Sequence, residues 1–356
     1  MRHLTLLSIF SIFLLTSCGG DSENGGSKTF MQSARGEADE IIVVMDSAQW
    51  DGEIGKLIRE IFREPMKGMP QDEAKFSINK ASPLRLNSVL KSVSNMIFVM
   101  TLDSKTRESA AIRNYFTDQS LKIIRDDSSR FMLTKQDEFA KGQTVLYLFS
   151  NSEDQLIERL KSNQEQLRNY FEARALKTVR KELFKSRNKS AEKAIAEELD
   201  VSIKVPFGWE VAKQLPNFAW VRLMDVDKEQ NVFIYKEPYV SEKVFENVAY
   251  FRDQITEKYL RDAEKSEIYI TRQMRDDLNT VFFDQVSFND MYGVEQRGLW
   301  KISDNSAGGP YVSYTFVDED TQTLYYIEGY VYAPGGRKKR LVREVEAILS
   351  SFKLAK

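Results

Sequence analysis

Apolar positions in this chain fall into short continuous runs separated by helical stripes. Ile41-Ile42-Val43-Val44-Met45 is a β-branched run that predicts a buried strand. Trp50, Ile54, Leu57, Ile58, Ile61 and Phe62 then recur at helical spacing, and Pro65 ends the element. Phe76-Ser77-Ile78 predicts a short strand and 84–93 a second helix. Met96-Ile97-Phe98-Val99-Met100 reads as another buried strand. A helix near 107–116 precedes the apolar 121–124 segment and the run Val145-Leu146-Tyr147-Leu148-Phe149. Strands alternating with helices predict a layered α/β or α+β domain over 40–200. Its end is strongly helical: Leu156, Leu160, Leu167, Tyr170, Phe171, Ala175, Leu176, Val179 and Leu183 form one long stripe with a single stutter.

A second pattern begins near residue 201. Val201-Ser202-Ile203-Lys204-Val205 alternates as a half-buried strand, and Pro206 closes it. Strands are predicted at 218–223, 232–235, 281–288 and 293–302, with a hairpin of 311–317 and 324–332 around Asp318-Glu319-Asp320-Thr321. Val244, Val248, Phe251, Ile255 and Tyr259 mark one helix, with Ser241 as its expected N-cap. Leu341, Val345, Ile348 and Phe352 mark the last helix.

The N-terminus has a different pattern. Arg2 and His3 precede an apolar run over 4–15, too short for a stable membrane span, which needs about 20 residues. Leu15-Thr16-Ser17-Cys18 resembles the lipobox of bacterial lipoproteins. That resemblance implies cleavage of a signal peptide, 1–17, and a lipid on Cys18. Residues 18–39 are rich in Gly, Ser and acidic side chains and predict a flexible tether.

Composition narrows the chemistry. A 42% hydrophobic, 12% aromatic chain of 356 residues can bury real cores, and a net charge of -2 offers no field for nucleic acid. The only His and the only Cys are His3 and Cys18, so the body beyond residue 18 has neither imidazole nor thiol. Cysteine nucleophiles, Ser-His-Asp triads, His-based zinc sites and CxxC redox chemistry are excluded there. No phosphate loop, dinucleotide fingerprint or EF-hand spacing is present, so no cofactor is expected.

Two resemblances extend this picture. Val205-Pro206-Phe207-Gly208-Trp209, a middle antiparallel sheet and the closing Ile348-Leu349-Ser350-Ser351-Phe352 resemble the PsbP/Mog1-type sandwich. This implies an α-β-α fold with a mainly antiparallel sheet over 201–356 and no shared catalytic residues. Taken whole, the chain resembles an uncharacterised family of Bacteroidota lipoproteins (domain of unknown function 4837). Arg297-Gly298-Leu299-Trp300, Gly309-Pro310-Tyr311-Val312-Ser313-Tyr314 and Glu328-Gly329-Tyr330-Val331-Tyr332-Ala333-Pro334 carry that resemblance. It implies a location and no activity.

Two stretches are candidate sites. The aromatic block 292–332 holds Tyr292, Trp300, Tyr311, Tyr326 and Tyr330 among Glu295, Arg297 and Glu328. Strand alternation puts Tyr326, Glu328, Tyr330 and Tyr332 on one face and Tyr325, Ile327 and Val331 on the other. Arg297, Trp300, Tyr311, Tyr326, Glu328 and Tyr330 form either a ligand or partner surface or a hydrogen-bonded core. The second stretch is Arg337-Lys338-Lys339-Arg340 at the start of the last helix, where cations oppose the helix dipole. It reads either as an anion site or as a solvated loop before a helix starting near Leu341. The basic side chains of the long helix, Arg168 to Lys189, divide likewise between an anionic-surface contact and a solvated face.

The expectation is therefore a two-domain, lipid-anchored cell-envelope protein, on the periplasmic or surface side of the outer membrane, that acts by binding or assembly. Its partners would be the membrane and an envelope protein or polymer, with no nucleic acid. A carboxylate-only glycan hydrolase using Glu295 and Glu328, and a purely structural component, are the alternatives.

Overall fold

A computed structural model describes residues 31–262, 264–274 and 280–355. The signal peptide, Cys18 and most of the tether lie outside the described residues.

The N-terminal half runs β1 (Glu40–Val44), α1 (Ser47–Asp51), α2 (Glu53–Phe62), β2 (Ser77–Ala81), α3 (Ser88–Lys91) and β3 (Asn95–Thr101). It continues through α4 (Arg107–Arg113), α5 (Asp118–Asp126), β4 (Met132–Gln136) and β5 (Thr144–Ser150) to α6 (Glu153–Ser162), α7 (Gln164–Leu183) and α8 (Lys189–Leu199). The sheet order is β2-β1-β3-β5-β4, parallel except for the antiparallel edge β4. Helices cover both faces, which is why the inner strands are continuous apolar runs. Ile41, Val43, Ile97, Val99, Leu146 and Leu148 pack on α2, α6 and α7, while Ile42, Val44, Phe98 and Tyr147 pack toward Ile112 and Ile124.

Two expectations change here. The long helical stripe is broken at its stutter: Asn163 leaves helical geometry (φ -125°), separating α6 from α7. The tether also ends earlier than residue 39. Ala34 N–H donates to Lys141 O (2.9 Å) and Arg35 N–H to Ser92 O (2.8 Å), so this stretch is tied to the N-terminal half.

The C-terminal half comprises β6 (Val201–Ser202), β7 (Glu210–Leu215), β8 (Phe218–Asp225), β9 (Lys228–Pro238), α9 (Lys243–Glu246) and α10 (Val248–Tyr259). It continues with β10 (Ile270–Arg272), β11 (Val281–Phe288), β12 (Met291–Ile302), β13 (Gly308–Asp318), β14 (Thr323–Tyr332), α11 (Lys339–Leu349) and β15 (Lys353–Leu354). The eight-stranded sheet is antiparallel, ordered β10-β12-β13-β14-β9-β8-β7 with β11 also on β12. One face packs on α8 and α11 through Ile195, Leu199, Val345 and Ile348; the other packs on α10 through Ile255 and Tyr259. This is an α-β-α sandwich within an α+β protein. Gly329 permits the approach of α11, since a Cβ there would lie 2.7 Å from Val345 Cβ. Asn247, rather than Ser241, caps α10, because a short α9 precedes it.

The loop between α2 and β2 joins the halves. Met66 is buried in the C-terminal core, and Lys67 pairs with Asp284 at 2.8 Å. Gly68, at φ +73°, lies where a Cβ would meet Gly298 N at 2.8 Å, so backbone meets backbone.

Candidate functional site

The aromatic block goes mostly inward. Trp300, Tyr311, Tyr326, Glu328 and Tyr330 are buried, and Arg297 is largely covered, so these six form no exposed partner surface. Tyr326 and Tyr330 meet Phe233 beneath α10, while Tyr325, Ile327 and Val331 face α11, in the predicted alternation. The buried Trp300 N–H donates to Val331 O at 3.1 Å, which satisfies its polar tip.

At the centre of that face stands an ion pair absent from the sequence reading. Arg252 of α10 donates from Nε and Nη2 to both oxygens of Glu328, at 2.9 and 2.8 Å. Tyr326 Oη donates to the same carboxylate at 2.5 Å, and Arg252 stacks 4.2 Å from the Tyr311 ring centroid. Both charged side chains are 0% exposed. Burial alone would lower the Arg252 pKa, but Glu328 outweighs it and holds the guanidinium charged. Burial and the Glu328 charge together push the Tyr326 phenol well above its ordinary value.

Glu295 and Glu328 cannot act as a glycosidase pair. Gln296, Ser313 and Glu328 lie in one cross-strand row, which places the neighbouring Glu295 on the opposite face. Glu295 accepts from Arg297 Nε at 2.6 Å and from Tyr314 Oη at 2.8 Å. Burial raises its pKa, but Arg297 and these hydrogen bonds outweigh that and hold it below the ordinary carboxylate range. Arg297 also reaches Glu346 of α11 at 2.5 Å. Neither nominated carboxylate is a free acid facing the other across a cleft.

The basic stretch before α11 is also used within the chain. The helix starts at Lys339, earlier than the Leu341 reading, and its free N–H groups are taken by Glu73 of the N-terminal half. Lys338 N–H donates to Glu73 Oε1 at 2.7 Å and Lys339 N–H to Oε2 at 3.1 Å. Lys339 Nζ donates to Ala74 O at 2.9 Å and pairs with Asp39. An anion does sit at this N-terminus, and it is the protein's own carboxylate. Arg337 and Arg340 remain exposed. On α7, Arg168 pairs with Glu64 at 3.1 Å and Arg174 donates to Thr144 Oγ1 at 2.8 Å, so part of the basic stretch is used internally.

One part of the block stays open. Tyr292 is 56% exposed and pairs edge-on with Phe245 at 5.8 Å. These rings, with Tyr239 and Met291, wall a recess of about 780 Å³ at the ends of β11–β14. Glu242, Glu246, Asp290, Asp318, Glu319 and Asp320 also line it, and no Lys or Arg does among the described residues. Local chain geometry brings them together. Asn289 and Asp290, both at positive φ, turn β11 into β12, and Asp318 accepts from Asp320 N–H and Thr321 Oγ1 to shape the next hairpin.

Residues 188–351 match the family model described as Domain of unknown function (DUF4837). We refer to this matching segment as the DUF4837 domain. Residues 34–184 match a different model, Domain of unknown function (DUF8532), so the family resemblance read over the whole chain is confined here to its C-terminal part. No protein of curated function matches the chain. Similar solved structures include one from Bacteroides thetaiotaomicron, at 10% identity and TM-score 0.26 over 44% of this chain, and the chain spans 46% of that structure. A point mutant of the protein Mog1 is similar at 9% identity and TM-score 0.29, over 44% of this chain and 92% of its own. LpqN, "involved in cell envelope biogenesis" of Mycobacterium tuberculosis, is similar at 10% identity and TM-score 0.26, over 43% of this chain and 82% of its own.

The acidic recess thus belongs wholly to the DUF4837 domain, from Tyr239 to Asp320. The Glu73 contact, in contrast, joins the segment matching DUF8532 to α11 of the DUF4837 domain.

Proposed function

We propose that this is a lipid-anchored cell-envelope protein of the outer membrane that works by binding. In this reading the recess of the DUF4837 domain takes a Lys- or Arg-bearing segment of an envelope protein. The observation that carries it is the wall itself: six carboxylates, the exposed Tyr292 and the half-buried Tyr239 and Phe245, with no cation among the lining residues. A concave wall of one sign focuses its field on an incoming counter-charge. Ring faces add a cation–π attraction worth about 0.5–1 kcal/mol at exposed sites. Glu295 and Glu328, covered elsewhere in the domain, already hold cations, whereas no Lys or Arg is among the described residues that line the recess.

The anchor rests on Arg2, the apolar 4–15 run and Ser17-Cys18. Metabolic labelling with a fatty-acid analogue should mark the wild-type chain and leave a Cys18→Ser variant unlabelled; equal labelling would remove the anchor from this account. The recess is tested by titrating the purified protein with an oligolysine peptide over a salt series. Saturable binding that weakens steeply with ionic strength is expected. Equal binding of an oligoglutamate control, or none of the oligolysine, would exclude the recess as a cation site.

A further inference from the structure

The sheet of the DUF4837 domain has two unlike ends. β9 pairs antiparallel with β14, so Pro238 lies opposite Thr323 and Glu229 opposite Tyr332. The acidic recess, from Tyr239 to Asp320, lies at the Pro238 end. The other end is roughly 30 Å away, at about 3.3 Å per residue along β9. There Phe207, Met224 and Val226 stand 76%, 54% and 95% exposed.

Local structure puts these three side by side. Glu210 of β7 lies opposite Arg222 of β8, so the residues before β7 run beside Met224 and the hairpin 225–228. A Cβ on Gly208 would lie 3.7 Å from Leu223 Cδ1, which brings this loop onto β8. Phe207 sits between the buried Val205 and Trp209, in a turn closed by Trp209 N–H donating to Pro206 O at 3.4 Å. The fold therefore holds its ring outward. Single exposed apolar side chains need no explanation, but a cluster on neighbouring loops marks an interaction surface.

What covers this end follows from where the chain enters. Ser33 bridges to Lys141, and Asp39 pairs with Lys339, so the first described residues lead to the start of α11. That start lies beside the hairpin, since Gln230 Nε2 donates to Leu341 O at 3.2 Å. Only 13 positions separate Cys18 from Met31, at most about 45 Å of chain. A lipid on Cys18 thus keeps the domain close to a bilayer, with the chain entering at the apolar end. Arg337 and Arg340 are exposed at the same end, placed to meet lipid phosphates once the apolar side chains enter. Asp225 and Asp227 in the hairpin oppose them, and Glu344 takes Arg340 at 3.2 Å, so apolar burial rather than net charge is the driving term.

We infer that Phe207, Met224 and Val226 dock on the bilayer that holds the anchor, and that the acidic recess then faces away from it. The inference rests on the anchored reading above. To test it, the chain from Cys18 onward is coupled through its single thiol to a maleimide-bearing lipid in vesicles of phosphatidylethanolamine and phosphatidylglycerol. Val226→Trp and, at the recess end, Val240→Trp each add a reporter at an exposed position. Brominated lipid quenches an indole that enters the bilayer. Quenching of the added emission, beyond that of the unsubstituted chain, is expected to be much the stronger for Val226→Trp. Adding Phe207→Ser should reduce it, and raising the salt should not. Quenching as strong at Val240→Trp, none at Val226→Trp, or no response to Phe207→Ser would overturn the inference. The coupled lipid supplies the tether in every case. Failure of the anchor reading therefore appears in the fatty-acid labelling, and failure of this face in the quenching.

Discussion

The DUF4837 domain uses carboxylates in two opposite ways. On the two faces of its sheet, Glu328 and Glu295 are committed to Arg252 and Arg297, and at α11 the incoming Glu73 is committed to backbone N–H groups. At the ends of β11–β14, six carboxylates share a recess with aromatic rings and no lining cation. The same side chain is structural where its counter-charge comes from the chain, and where it does not we propose that it serves binding. Sequence type alone cannot separate the two, since Glu295, Glu328 and Glu319 lie within one stretch of alternating strands.

Breaking the committed set should cost stability. Arg252→Met leaves Glu328 buried and unpaired, and should lower the unfolding free energy by about 3–5 kcal/mol in a denaturant titration. The double variant Arg252→Met/Glu328→Leu should recover most of that loss, because no lone charge remains. If the single variant is as stable as wild type, the buried pair is not holding the face.

Glu73→Ala removes the anion that takes the first N–H groups of α11 from the other half. A loss of about 1–2 kcal/mol is expected, with faster hydrogen exchange in α11 and in the loop between α2 and β2. Unchanged exchange in both places would contradict a joint between the halves.

Glu295 gives a smaller, pH-dependent effect. Its folded pKa is depressed, so its contribution is present above its ordinary value near 4.5 and disappears as pH falls through the lower folded value. Glu295→Gln should therefore narrow the stability gap between neutral and acidic pH. An unaltered acid profile would show that other carboxylates carry it.

Much of the fold was legible. The inner strands β1, β3 and β5 are continuous apolar runs because both faces are covered, and the two faces of β14 follow from simple alternation. The edge strands β4 and β7 escaped because they are half-exposed, and their polar sequences, Met132–Gln136 and Glu210–Leu215, carry no clean pattern. The candidate site was less legible. Arg252 and Glu328 are 76 positions apart, and Glu73 and Lys338 are 265 apart, so no local period links them. One signal was present: Arg252 falls on the Val248–Ile255–Tyr259 stripe of α10, an arginine on an apolar face that demands a buried partner. Asp318-Glu319-Asp320 read only as a turn, because the acids it joins, Glu242, Glu246 and Asp290, come from other elements.

The most direct measurement compares wild type with Glu242→Gln/Glu246→Gln/Glu319→Gln in oligolysine titration and denaturant unfolding together. The account predicts unfolding free energies within about 0.5 kcal/mol of each other, as for surface positions, and binding weakened at least about tenfold in the variant. Undiminished binding with equal stability would contradict it, as the recess would then not be where the cation goes.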